Sequence, residues 1–191
     1  MSGSSIATSE RSPRLRERWP TALALVLAIG ALYLIIGEGD TDFAAGIAAM
    51  ACIYMAAYAA GRPAMAWAAF PAVMVTLVAL EAAGGLDSSV SGPALLFVLW
   101  LVALVRGRAG DGEWFAIQTS GMVLFGGLTL LAVAGDARAI GLISGIGFFM
   151  HGLWDGFHLA KNRVVNRPWA ELCVVLDLIV GPALFVVALT T

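Results

Sequence analysis

Two histidines occur in the 191 residues, and both fall in one stretch, FFMHGLWDGFHLAKN. His151, Asp155 and His158 are spaced i, i+4, i+7. At about 100° per residue the three lie on one narrow arc of a helix, with Ser144 on the same arc two turns away. Downstream, LCVVLD sets Cys173 and Asp177 one turn apart on a second helix face. The connection Lys161 to Arg167 is short, so the two helices should be antiparallel neighbours. Asp155, His151 and Asp177 then reach similar depths, with Cys173 near His158. Imidazole nitrogen and carboxylate oxygen suit a divalent metal, with zinc favoured over iron or manganese. A bound metal makes a nucleophile of its water at neutral pH. The candidate metal ligands are therefore His151, Asp155, His158 and Asp177, with Asp155 and Asp177 as catalytic acid/base candidates. Cys173, Gln118, Tyr58 and Trp154 are candidates to shape the pocket. The same residues could instead form a hydrogen-bonded cluster between helices or a proton relay, or a histidine could ligate a pigment or haem.

The elements that must position these residues are transmembrane helices. The chain is 60% hydrophobic and 13% charged, with mean hydropathy +0.89. A soluble domain is nearer about half apolar and about a quarter charged. Its partners should be membrane lipids and a lipid-like small molecule. The net charge of −2 offers no basic surface for nucleic acid. The two cysteines, Cys52 and Cys173, sit in apolar runs, which argues against a disulfide framework. Apolar segments at 20–37, 43–61, 64–84, 92–106, 113–134, 138–160 and 168–190 approach the ~20 residues a span needs. The expected fold is all-α, a polytopic transmembrane bundle of seven helices. Residues 19–191 form its single domain, and 1–18 form a disordered basic cytoplasmic tail. Residues 88–92 offer an extension of the short fourth span, in which Ser91 reads as the N-cap and Pro93 as the first helical position. Pro63 and Pro168 fit the same role for spans three and seven.

Basic residues settle the expected topology. Arg11, Arg14, Arg16 and Arg18 precede the first span; Arg62, then Arg106 and Arg108, then Lys161, Arg163 and Arg167 mark alternate connections. Of all Lys and Arg, Arg138 alone falls on the other side. The positive-inside rule places the N-terminus in the cytoplasm and the C-terminus outside, in a bacterial inner membrane. Gly141, Gly145, Gly152 and Gly156 form two GxxxG pairs beside the histidine stripe, which permits close helix packing.

At HGLWDGFH followed by LCVVLD, the chain resembles a group of small bacterial integral membrane proteins that share H-x-x-W-D-x-x-H and a downstream C-x-x-x-D. The resemblance covers about residues 148–180. It implies that His151, Trp154, Asp155, His158, Cys173 and Asp177 belong to a shared pattern, and it brings no activity with it. One departure is Leu159, where such proteins often carry a further histidine. A looser likeness, of architecture, is to the adiponectin-receptor and alkaline-ceramidase superfamily. Its members are seven-span proteins with a zinc site and lipid-amide hydrolysis. They use three histidines divided between spans, whereas both histidines here lie in span six.

Some classes are excluded. Retinal needs an intramembrane lysine, and Lys161 stands in a connection. Neither HExxH, GxSxG nor a P-loop occurs. The expected function is a metal-dependent enzyme acting near the cytoplasmic face on a lipid or isoprenoid-like substrate. The alternatives are a proton-coupled transporter and a non-catalytic subunit of a larger membrane complex, with a homo-oligomer or a complex partner. Reporter fusions ending after Gly107 should report the cytoplasm, and fusions ending after Asp136 the opposite side. The reverse pattern would overturn the charge-based topology.

Overall fold

The computed structural model describes residues 17–190. Arg11, Arg14 and Arg16 of the basic tail lie outside the described residues. Seven helices follow in order: α1 Trp19–Leu32, α2 Ala44–Ala60, α3 Ala66–Gly84, α4 Ser88–Val105, α5 Glu113–Val133, α6 Ala137–Lys161 and α7 Arg167–Thr190. A π-helical turn, Tyr33–Gly37, ends α1, and 3-10 turns at Pro63–Met65 and Arg108–Asp111 precede α3 and α5. No strand occurs among the described residues. Five stretches are long and apolar enough to cross a membrane: Trp19–Gly37, Pro63–Gly84, Ser88–Val105, Glu113–Val133 and Arg167–Thr190. At 17 residues α2 is shorter. The 25-residue α6 is long enough but carries the His–Asp stripe, which lowers its hydropathy.

Each expected segment coincides with a helix, and the ends move by a few residues. The largest shift is in α4. Ser91 is not its cap and Pro93 is not its first residue. Asp87 caps the helix instead, its carboxylate accepting from the Ser89 N–H at 2.7 Å. A carboxylate is a good acceptor for the free amides of a first turn. The earlier start lengthens α4 to 18 residues, with Pro93 inside it.

The Ala-rich α2 runs through the middle and packs against α3, α4, α5 and α6. Ile47, Ala48, Cys52 and Ala57 are wholly buried. Along α7 lies α1, where Thr21 Oγ1 donates to Glu171 Oε1 at 2.5 Å and Arg18 stands 3.9 Å from the same carboxylate. Toward α3, α1 makes a ring contact, Trp19 to Trp67 at 5.4 Å.

The most extensive interface joins α6 to α7. The expected glycine stripe forms it. A Cβ at Gly145 would stand 2.7 Å from the Phe185 nitrogen and 2.9 Å from the Gly181 carbonyl oxygen. A Cβ at Gly181 would stand 2.6 Å from the Phe149 nitrogen. These obstacles are backbone and cannot swing aside. Gly181→Ile should therefore destabilise by at least the ~1–3 kcal/mol typical of overpacking. Gly156→Ala meets nothing nearer than Val174 Cγ2 at 3.8 Å and should leave stability unchanged or slightly raised. Thermal unfolding in detergent distinguishes the two outcomes.

Candidate metal centre

Three helices supply the buried polar centre. His151 and Asp155 come from α6, Asp177 from α7 and Tyr54 from α2. The first three are 0% exposed and Tyr54 is 2% exposed. One helical turn sets Asp155 below His151, and the glycine contact brings Asp177 across to meet them. His151 Nδ1 lies 3.1 Å from Asp177 Oδ2 and 3.3 Å from Asp155 Oδ2. Carboxylate oxygens accept, so Nδ1 is the donor to both. One potential ligand atom from each of His151, Asp155 and Asp177 lies within 4.8 Å of the others.

Several atoms of this cluster lack partners. His151 Nε2, Asp155 Oδ1, Asp177 Oδ1 and the Tyr54 hydroxyl are buried without a hydrogen bond. No Lys or Arg is buried among the described residues. Two carboxylates thus share one imidazole in a space walled by rings. Phe125 lies 4.7 Å from His151 and Tyr54 lies 5.5 Å from it, centroid to centroid. An unpartnered buried polar atom costs about 1–3 kcal/mol, and more when it is charged. A divalent cation would satisfy the free oxygens and bring two carboxylates and a neutral imidazole to zero net charge. The donor set, one nitrogen with carboxylate oxygens, fits zinc, iron or manganese.

His158, on the same stripe, has a different fate. Its Nδ1–H donates to the Trp154 carbonyl at 2.9 Å, which leaves Nε2 as an acceptor. The Gln118 amide of α5 lies 3.0 Å from Nε2 and donates to it. Both ring nitrogens are engaged, and His158 stands outside the three-residue group. The other pocket candidates divide. Cys173 is buried and lines an apolar cavity together with His151 and Asp177. Gln118 acts on His158. Trp154 packs its ring on the α5 backbone at Gly121, with Phe125 at 5.7 Å. Tyr58 is not at the centre. Its hydroxyl donates to the Arg108 carbonyl at 3.1 Å and it lines a polar pocket with Arg108, Asp111 and Arg163. The residue the sequence underrates is Tyr54, one turn away, whose ring lies between the two imidazoles at 5.5 and 5.0 Å. The burial of α2 on every side was its available signal. Ser144 is also buried, with its hydroxyl unpartnered.

The cavity beside the centre has a volume of about 320 Å³. Its walls are apolar, from Leu23 and Leu27 of α1 to Trp169 and Val180 of α7. The chain matches no family model, no curated protein and no solved structure. The site is therefore read from its own geometry.

Gln118→Leu keeps the volume and removes the donor to His158. It should cost about 1–3 kcal/mol by leaving a buried acceptor without a partner. Metal content should stay at the wild-type level, because the three-residue group is untouched. Unfolding and elemental analysis of the same purified variant check both halves.

Proposed function

We propose that this chain is a metal-dependent membrane enzyme acting on a lipid or isoprenoid-like substrate. The observation that carries the reading is the meeting of one potential ligand atom from each of His151, Asp155 and Asp177 within 4.8 Å, in three wholly buried residues whose carboxylates each keep an oxygen without a hydrogen-bond partner. Such atoms in a dry interior call for a cation. The ion would act as a Lewis acid on a substrate oxygen and activate water. His151, Asp155 and Asp177 would hold it, with zinc favoured over iron or manganese. A carboxylate oxygen not engaged by the ion would take the proton from the activated water. His151 and Asp177 also form part of the cavity wall, so a substrate in the cavity would reach the ion directly.

In this reading all seven helices cross the bacterial inner membrane, with the N-terminus in the cytoplasm. The two helices outside the five long apolar stretches, α2 by its length and α6 by its polar stripe, fit that arrangement. α2 is enclosed by its neighbours. α6 turns Ile146, Phe149, Leu153 and Phe157 outward, at 41%, 44%, 57% and 37% exposure, and its polar stripe inward.

One observation favours a second reading. His151 Nδ1 is shared between two carboxylates, an arrangement that can hold a mobile proton, as in a proton-coupled transporter. Flux into liposomes, lost in Asp155→Asn, would support it.

Elemental analysis of the detergent-purified protein tests the metal reading. Wild type should carry about one equivalent, the occupancy of a single three-residue site. His151→Ala and Asp177→Asn should lose it, and His158→Ala should retain it. A folded, monodisperse wild type with no metal after chelator-free purification would overturn the enzyme proposal.

A further inference from the structure

We infer that the apolar cavity takes one extended single-chain molecule sideways from the bilayer, with an uncharged oxygen-bearing group set inside its chain and facing His151 and Asp177. This rests on the metal reading for what the oxygen meets, and on the cavity alone for the shape of the ligand.

The position of the polar residues along the cavity sets the ligand's shape. On α7 the lining runs from Trp169 to Val180, with Asp177 between them. Asp177 lies eight residues past Trp169 and three before Val180. At 1.5 Å per residue this is ~12 Å on one side and ~4.5 Å on the other. α6 repeats the short arm, with Phe148 three residues from His151. The long arm ends among the aromatic rings of Trp67, Phe70 and Trp169, and the short arm at Phe43 and Phe148. No Lys, Arg or Glu lines the cavity, and Asp177 and His151 sit between its ends. A charged terminus held inside the cavity would be desolvated, because the lining offers no Lys or Arg as a counter-ion. An ester, amide, ketone or hydroxyl within the chain meets its partners on the cavity wall.

The size and the mouth of the cavity agree with this. About 320 Å³ lies near the lower end of small-molecule pockets, which suits one chain and not two. Leu23, Leu27 and Ala31 line it from α1 at i, i+4, i+8. Leu27 and Phe70, from α1 and α3, are 45% and 47% exposed on the bundle's flank. In a bilayer that flank faces acyl chains, so a hydrophobic ligand reaches the site without passing through water.

The probe is N-butyl dodecanamide, a neutral amide with one long and one short apolar arm. Its saturable binding to the metal-loaded protein in nanodiscs is compared with that of laurate, which has the charge at its end. The amide should bind at one site, at least about tenfold more tightly than laurate. Leu27→Trp and Ala31→Phe, which fill the mouth and wall, should each weaken it about tenfold with metal content unchanged. No saturable binding, equal binding of laurate, or binding that ignores both fillings would overturn the inference. The cavity would then be a crevice filled by bulk lipid, and the metal reading would stand. Metal-free wild type that still prefers the amide, with the preference lost in Leu27→Trp, would uphold the ligand's shape and overturn only the part of the inference in which the oxygen meets the ion; the metal content of the wild type decides the metal reading separately.

Discussion

Where Gly145 and Gly181 meet, no side chain separates α6 from α7. Helices packed through ordinary side chains lie ~8–10 Å apart. Here each backbone is the surface against which the other rests. That closeness lets a short aspartate side chain on α7 reach an imidazole on α6, at 3.1 Å from Asp177 to His151. The glycines at 141 and 152 extend the contact on either side, against Ala188 and Leu178. Widening the interface by one methyl at its centre would move Asp177 out of hydrogen-bond reach. The polar centre therefore depends on residues that carry no chemistry of their own.

The second constraint is charge in a dry interior. His151, Asp155 and Asp177 have no exposure, and the nearest rings, Phe125 and Tyr54, exclude water from their flanks. Low dielectric strengthens every electrostatic interaction and makes every unpaired one costly. A single imidazole N–H shared by two carboxylates leaves one oxygen of each without a partner. Pure packing would have removed such atoms, since apolar residues of similar volume are often at least as stabilising as a buried ion pair. Retaining them fits a bound species better than a helix staple.

Much of this was legible in the sequence, for physical reasons that differ by residue. Long apolar runs leave little choice in a bilayer, so the seven helices could be located. Their ends depend on which side chain reaches a free amide. Asp87 reaches Ser89 N and Ser91 does not cap, a contest that hydropathy does not register. The π-helical turn at Tyr33–Gly37 had no signal at all. In the site, His151, Asp155 and Asp177 could be brought together because i, i+4 spacing and a short connection fix both azimuth and depth. His158 could not be separated from them by the same rule. Its partner Gln118 lies on α5, and no spacing within α6 reveals what a different helix presents. Tyr54 and Tyr58 share a face of α2, and one turn of depth sends one to the centre and the other to the polar pocket.

That one turn also decides which way the centre faces. The polar pocket with Tyr58, Arg108 and Arg163 lies at the arginine-bearing end of the bundle. Between it and the His–Asp group stand Trp114, His158 and Tyr54, with Trp114 to His158 at 5.9 Å and His158 to Tyr54 at 5.0 Å. His158 is held on both nitrogens by Gln118 and the Trp154 carbonyl, so its ring is fixed across this path. These rings line up on the arginine-end side of the centre, and the apolar cavity has His151 and Asp177 on its wall. Two histidines on one stripe thus differ by their partners: His158 has both ring nitrogens hydrogen-bonded, and His151 keeps Nε2 without a partner. In the membrane arrangement we propose, the cavity wall brings His151 and Asp177 next to the apolar flank of the bundle, the side from which a membrane-dissolved molecule would come.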